Sequence, residues 1–354
     1  MDVSVPEASP PHSSPPTRAN VAAGETQLTA LRRIALSPSP ALALTIGLFV
    51  VYGLTQTSTF ANGQVWINVV QDAAFTAIVA SFVAIVMIGG GLDLSVDSVF
   101  AAGAMVSAVL AYHGQPVFVA FVGGILVGAG VGLINGLIVN YFSIPAIIVT
   151  LGTLFGVRSL VVHLSQAQPI APLPASFTAI GQHKLFGLPY IIYVGLVVAV
   201  IAYVLLHSTT LGWNIRALGA NREAARSSGI QVRALSISLY ILSGSAAALA
   251  GALESARLGA GTPTLGTGLE LTVIAAAIIG GTSIAGGLGT IPGAALGSLL
   301  LSVLGTGLIL LHVDSTLQDL ATGVVLIVAA GIDQLRRRQM FRTSARRALA
   351  AETP

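Results

Sequence analysis

Residues 207–233 read HSTTLGWNIRALGANREAARSSGIQVR, the one long charged interruption with hydrophobic segments on both sides. Four arginines fall in it, Arg216, Arg222, Arg226 and Arg233. A basic island between apolar runs is what a polytopic membrane protein keeps in a cytoplasmic loop, because Lys and Arg are retained on that side. Asn221 is an N-cap residue, Glu223 complements the positive end of a helix dipole, and Gly229 is a C-terminal stop. Arg222 to Ser228 is therefore predicted to form a two-turn helix, too short to be stable alone. Arg222 and Arg226 share a face at i, i+4, while Ala224, Ala225 and Ser228 form a small-residue surface suited to another protein's groove. The island is read as a docking element; the plainer reading is a positive loop that only orients the membrane segments.

Composition agrees with the membrane. The chain of 354 residues is 54% hydrophobic and 8% charged, with mean hydropathy +0.88, whereas about a quarter of a soluble globular protein is charged. The net charge of +3 comes from arginines gathered in a few segments, so it marks membrane orientation and not nucleic-acid binding. There is no cysteine, which excludes disulfides, thiolate catalysis and cysteine metal sites. His12, His113, His163, His183, His207 and His312 are scattered without ligand spacing. The single lysine, Lys184, is not in a Gly-Lys-Ser/Thr context, so the chain has no P-loop of its own.

Residues 1–40 are predicted to be a disordered cytoplasmic tail rather than a cleaved signal peptide, 41–335 a transmembrane domain with 207–233 as its cytoplasmic loop, and 336–354 a basic cytoplasmic tail. About 20 residues per span, fewer where Gly breaks a helix, gives ten spans. They are 41–59, 66–89, 97–112, 117–140, 144–163, 189–206, 234–253, 269–281, 290–311 and 316–334. The two tails and the island hold 13 of the 16 Lys and Arg residues. Both termini are thus predicted to be cytoplasmic, with Arg158, Lys184 and Arg257 at or toward the other face. The outer loops Ser165 to Leu188 and Glu254 to Gly268 are the segments most able to receive a soluble partner.

Two glycine-rich segments break the simple pattern. Gly89-Gly90-Gly91-Leu92-Asp93-Leu94-Ser95-Val96-Asp97 lies between spans 2 and 3, and Gly280-Gly281-Thr282-Ser283-Ile284-Ala285-Gly286-Gly287-Leu288-Gly289 between spans 8 and 9. Such breaks mark translocation paths in transporters built from inverted repeats, so an inverted internal repeat is expected. An ionised Asp93 or Asp97 at mid-membrane costs about 2.5 to 3.5 kcal/mol and requires polar surroundings. Each either lines a path or gate or serves the N-terminus of span 3, where Ser95 and Asp97 suit the dipole. Asn135, Thr150 and Thr153 in otherwise apolar spans line the path or hydrogen-bond between helices. Glu254 and Arg257 are spaced for a local pair. The candidate pathway residues are Asp93, Ser95, Asn135, Thr150, Thr153, Thr282 and Ser283. No carboxylate pair, nucleophile with base, or metal cluster suggests catalysis.

The motifs carry a resemblance. Gly90-Gly91-Leu92-Asp93-Leu94-Ser95-Val96, Ile134-Asn135-Gly136-Leu137, the run from Ile144 to Thr153, Gly219-Ala220-Asn221 with Ala224-Ala225-Arg226 and Ser228-Gly229-Ile230, Ala256-Arg257-Leu258 with Gly266 to Leu271, and Gly280-Gly281-Thr282-Ser283 follow in order. Over about Ala41 to Asp333 the chain resembles the permease subunits of ribose-type ABC importers, the monosaccharide uptake class. It departs at Asp97 and Ser159, where glycine is usual.

The resemblance implies an all-α inner-membrane permease that carries a monosaccharide or small polyol. A periplasmic sugar-binding protein would deliver the solute and a second permease chain, identical or different, would pair with this one, both surrounded by lipid. A cytoplasmic ABC ATPase would hydrolyse the ATP, leaving no cofactor on this chain. Asn221, Arg222, Glu223, Ala224, Ala225, Arg226, Ser228 and Gly229 would form the coupling helix on that ATPase. The alternative from another class is an ion-coupled secondary transporter using Asp93 or Asp97.

Overall fold

The computed structural model describes residues 62–310 as one continuous stretch, with isolated positions on either side. The expected spans 41–59 and 316–334 hold only isolated described positions, and both tails lie outside the described residues. The elements are α1 (Gly63–Ile88), α2 (Val96–Tyr112), α3 (Val117–Tyr141), α4 (Ala146–Leu164), α5 (Ala175–Gln182), β1 (Lys184–Leu185), β2 (Leu188–Pro189), α6 (Tyr190–His207), α7 (Thr210–Ala220), α8 (Arg222–Ser227), α9 (Val232–Leu258), α10 (Leu269–Ile279) and α11 (Ile291–Leu310). The other eight expected spans are all helices. Six of them, α1, α3, α4, α6, α9 and α11, are long and apolar enough to cross a membrane; α2 and α10 are shorter.

Burial sorts the helices into a centre and a rim. From Ile78 to Ile88, α1 is buried on every side, as expected of a helix that is apolar all round. It packs on α11, α6, α9 and α10. α9 crosses the middle against α3 and α2, and its buried face is largely Ala, Gly and Ser. On α3, α4 and α6 the side chains of Leu126, Phe155 and Leu196 point away from the protein, so these helices form a rim suited to lipid.

One end of the bundle gathers the island and the other the β1–β2 hairpin. α1, α3, α6 and α10 finish at the island end, where Asn140 touches Arg222 and Ile88 touches Gly219. At the hairpin end, Ile170 and Gly261 exchange backbone hydrogen bonds of 2.8 and 3.0 Å. α2 and α10 are half-length partners. Their 17 and 11 residues rise about 25 and about 16 Å at 1.5 Å per residue. α2 runs toward the hairpin end and α10 toward the island end, and their N-termini meet where the Gly268 N–H donates to Asp97 Oδ2 at 3.0 Å.

The segment expected to be an outer loop, Glu254 to Gly268, is mostly drawn inside. Glu254 to Leu258 is the last turn of α9, and the rest descends along α2, where Gly261 faces Ala108 and Gly266 faces Phe100. It must descend, since α10 begins in the interior. Thr264 and Thr267 alone in the connection 259–268 are well exposed.

Candidate functional site

Asp93 and Ser95 share the first glycine segment and Asn135 lies 40 residues beyond Ser95 in α3; the fold brings the three side chains together. After α1 the chain turns at Gly89–Gly91 and re-enters the bundle before α2 begins, which puts Asp93 in irregular backbone surrounded by protein. Asp93 Oδ1 accepts from the Ser95 hydroxyl at 2.6 Å and the Ser95 N–H at 3.1 Å. The Asn135 amide of α3 then donates to Ser95 Oγ at 2.8 Å. Asp93 and Asn135 are 0% exposed, and each keeps one side-chain oxygen, Oδ2 and Oδ1, with no protein partner. Ser243 of α9 faces the same carboxyl, and Tyr240 adjoins it. The Ser243 hydroxyl is itself buried with no other partner, so the nest holds a donor facing one of its two open acceptors.

Ser95 occupies the N-cap position of α2, but its hydroxyl makes no capping bond because it is spent on Asp93. The capping reading therefore fails for Ser95. Asp97, in the first turn of α2, points to Arg158 of α4, which donates to both its carboxylate and its main-chain carbonyl, the latter at 3.2 Å. Arg158 also donates to the carbonyls of Pro263 and Leu265. It is thus an internal tie, in the half of α4 nearer the hairpin end. Glu270, in the first turn of α10, stands beside this tie with Oε2 buried and unpartnered. Glu270 was missed in the sequence, although an acid in the first turn of a short apolar helix is a visible signal.

Four expected pathway residues stay apart from the Asp93 nest. Thr150 and Thr153 bond back to carbonyls of their own helix, at 2.8 Å to Ala146 and 3.1 Å to Thr150. Thr282 and Ser283 build the second glycine turn, where the Ser283 N–H donates to the Leu288 carbonyl at 2.9 Å and Thr282 Oγ1 is buried without a partner. Arg257 pairs with Glu254 at 2.6 Å as expected from the spacing, and reaches Asp72 of α1 at 3.2 Å as well.

The island holds two helices, not one. The additional one, α7, is capped by Thr209, whose side chain accepts from the Gly212 N–H at 3.3 Å, and buries Ile215 and Leu218. α8 forms as its signals foretell. Asn221 Oδ1 accepts from the Ala224 N–H at 3.0 Å, and Gly229 follows the end of the helix at φ 84°, a conformation that glycine adopts without strain. Its apolar face is turned inward, since Ala225 is buried among the core residues. The small-residue docking surface is corrected accordingly: Ala224 and Ser228 are exposed and Ala225 is not.

Three of the four island arginines fold back on this chain. Arg222 donates to Asn140 Oδ1 at 2.6 Å, Arg216 to the Gly289 carbonyl at 3.3 Å, and Arg233 lies over the Tyr141 ring. Glu223 and Arg226 are exposed and form no ion pair among the described residues. Two clefts lie at the island, one along α8 and one just beyond its C-terminal end. The first, of about 580 Å³, is bordered by Asn140, Arg222, Glu223, Arg226 and Arg233. The second, of about 620 Å³, is bordered by Leu211, Asn214, Gly229 and Gln231. A third hollow of about 300 Å³ leads from Arg222 past Gly89–Gly91 to Tyr240, which borders both it and the Asp93 nest.

Residues 65–330 match the family of branched-chain amino acid transport system permease components. The chain is 36% identical to the D-allose transport system permease protein of Escherichia coli over 280 residues, 79% of this chain and 83% of that protein. It is 36% identical to the ribose import permease protein of Escherichia coli over 274 residues, 76% and 85% of the two. With the galactose/methyl galactoside import permease protein of Haemophilus influenzae it shares 32% over 302 residues, 80% and 90%. No solved structure gives a significant match. These relatives favour a transport subunit over an enzyme and an ATP-binding-cassette permease over the ion-coupled alternative. A helical bundle with half-length helices, a polar nest at their break and an exposed capped helix at one end is consistent with that comparison, and the chain belongs to the ribose-type monosaccharide permeases of ATP-binding-cassette importers.

Proposed function

We propose that this permease moves a monosaccharide or similarly small polyol across the bacterial inner membrane, taking it from a periplasmic binding protein while a separate ABC ATPase docks on α8 and hydrolyses ATP. The observation that carries the docking half is that α8 is capped at both ends, has one cleft along it and another just beyond its C-terminal end, and presents Glu223 and Arg226 unpaired. Asn221, Arg222, Ala224, Ala225, Ser228 and Gly229 shape and hold that helix. The cargo half is supported by the relatives, whose names speak of allose, ribose and galactose. Asp93, Ser95 and Asn135 form the polar step of the path, and Thr282 is its counterpart at the second glycine turn. A second permease chain, identical or different, completes the assembly, with the exposed apolar rim meeting lipid.

The proposal includes ten spans with both termini and the island cytoplasmic, residues 1–40 and 336–354 being the tails. An inverted repeat is supported by the order and direction of the helices: long α1 runs toward the island end and short α2 away from it, whereas long α9 runs toward the hairpin end and short α10 away from it. Orientation is directly testable in a chain without cysteine. With Ser176→Cys, a membrane-impermeant thiol reagent added to intact cells should label the protein. With Ser227→Cys it should not, and labelling there would reverse the topology.

Function is tested in vesicles holding this chain with the ABC ATPase and sugar-binding protein of its source organism, offered radiolabelled ribose, allose, galactose and arabinose. ATP-dependent uptake of at least one is expected. Asp93→Asn should lower that rate by roughly tenfold or more at normal protein level, as expected when about 1.4 kcal/mol or more is lost from the transport barrier. Arg226→Glu should stay in the membrane yet lose the ATPase on co-purification. Uptake that needs no ATP and collapses with a protonophore would sink the proposal.

A further inference from the structure

Three turns from distant parts of the chain meet backbone to backbone at the island end. They are Gly89–Gly91 after α1, Gly219–Asn221 where α7 ends and α8 begins, and Gly286–Gly289 ahead of α11. The Gly287 N–H donates to the Ile88 carbonyl at 2.8 Å, which joins the first turn to the third across 199 residues of chain. Gly219 is wedged between them. A Cβ there would overlap the Ile88 carbonyl oxygen and lie 2.7 Å from Gly287 N. A Cβ on Gly286 would lie 2.7 Å from the Gly219 carbonyl oxygen and 3.1 Å from the Gly90 Cα. Arg216, one turn earlier on α7, adds its bond to the Gly289 carbonyl.

We propose that Gly219 is a positioning residue in a rigid joint, through which α7 and α8 hand the displacement imposed by the ATPase to both glycine turns at once. The inference rests on the reading that α8 docks the ATPase. Side-chain contacts absorb small movements by changing rotamer, whereas peptide groups at van der Waals distance have nothing to rotate and transmit a shift directly. The two turns differ in what lies beyond them. From Gly91 the chain reaches Asp93 two residues later, and from Gly280 it climbs α10 to Glu270 and the Asp97 tie. One push at Gly219 therefore acts on the Asp93 nest and on the point where α2 and α10 meet. Coupling through a joint requires that it stay closed while the helices around it move.

A disulfide tests this, because the chain has no cysteine of its own. A Cβ on Gly287 would lie 3.4 Å from the Ala220 Cβ, close to the separation of about 3.5–4.5 Å in disulfides. The double variant Ala220→Cys/Gly287→Cys, oxidised in the vesicles above, should form the crosslink and transport as well as its reduced form. Transport that stops on oxidation and returns with reductant would show that the joint has to open, and failure to crosslink would show that the two turns are not in contact; either overturns the proposal. Gly219→Val should insert and retain the ATPase but lose uptake by about tenfold or more, the scale of a coupling energy of 1–3 kcal/mol, with Gly219→Ala intermediate. Normal uptake by Gly219→Val would also overturn it, and if that variant fails to accumulate the crosslink decides alone. Failure of the docking reading has a different signature, an ATPase that still co-purifies with Arg226→Glu.

Discussion

Replacing Arg158 with leucine is expected to destabilise the permease by about 3–5 kcal/mol, because it leaves Asp97 charged and buried with its main partner gone. Asp97 is 4% exposed, and apart from Arg158 its carboxylate is satisfied by the Gly268 N–H. The guanidinium also closes the carbonyls of Pro263 and Leu265, so its loss strands buried acceptors in the connection to α10. Glu270 stands alongside, and the cation is what offsets two neighbouring acids. The companion variant Asp97→Asn/Arg158→Leu removes the stranded charge and should recover a large part of the loss. Thermal unfolding of the detergent-purified protein, followed by the fraction that stays monodisperse, measures both. If the double variant is no better than Arg158→Leu alone, the ion pair is not what holds α2, α4 and α10 together.

That tie illustrates what could not be read from the chain. Arg158 and Asp97 are 61 residues apart, each in or at the edge of an apolar segment, and charge counting could only assign Arg158 to the face opposite the tails. A partner inside the bundle has no local signature. The same is true of the descent of residues 259–268, which looks like an external loop until α10 is known to start in the interior.

Local chemistry was legible wherever a residue acts on its own neighbourhood. Asn221 and Gly229 bound α8 as their types dictate, apolar runs gave the helices, and glycine segments gave the breaks. α7 escaped because Gly212 and Gly219 depress helix propensity in a window of 11 residues, and burial of Ile215 and Leu218 compensates. The Asp93 nest was half legible. Asp93, Ser95 and Asn135 stand out as polar residues in apolar surroundings, whereas Thr150 and Thr153 stand out equally and merely satisfy their own helix.

Gly132→Leu should be among the most damaging single changes in the membrane region. Gly124, Gly128, Gly132 and Gly136 recur every fourth residue on the buried face of α3. A Cβ at Gly132 would overlap the Tyr240 carbonyl of α9, and one at Gly128 the Gly244 carbonyl. In lipid there is no hydrophobic gain from bringing two apolar helices together, so association depends on close approach and the dispersion it allows. A leucine at 132 meets backbone, which has no alternative rotamer, and α9 has to move away. The cost should exceed the roughly 1–3 kcal/mol usual for overpacking against side chains. Tyr240 and Ser243 would be carried off from Asp93 with α9, so uptake should fall together with stability. Gly130→Leu is the internal control, since a Cβ there has nothing within 4 Å. It should leave the unfolding temperature unchanged or raise it, leucine being the better helix former by somewhat under 1 kcal/mol. Equal losses from the two substitutions would mean that α3 and α9 are not held by close approach, and that α9 does not set the position of the Asp93 nest.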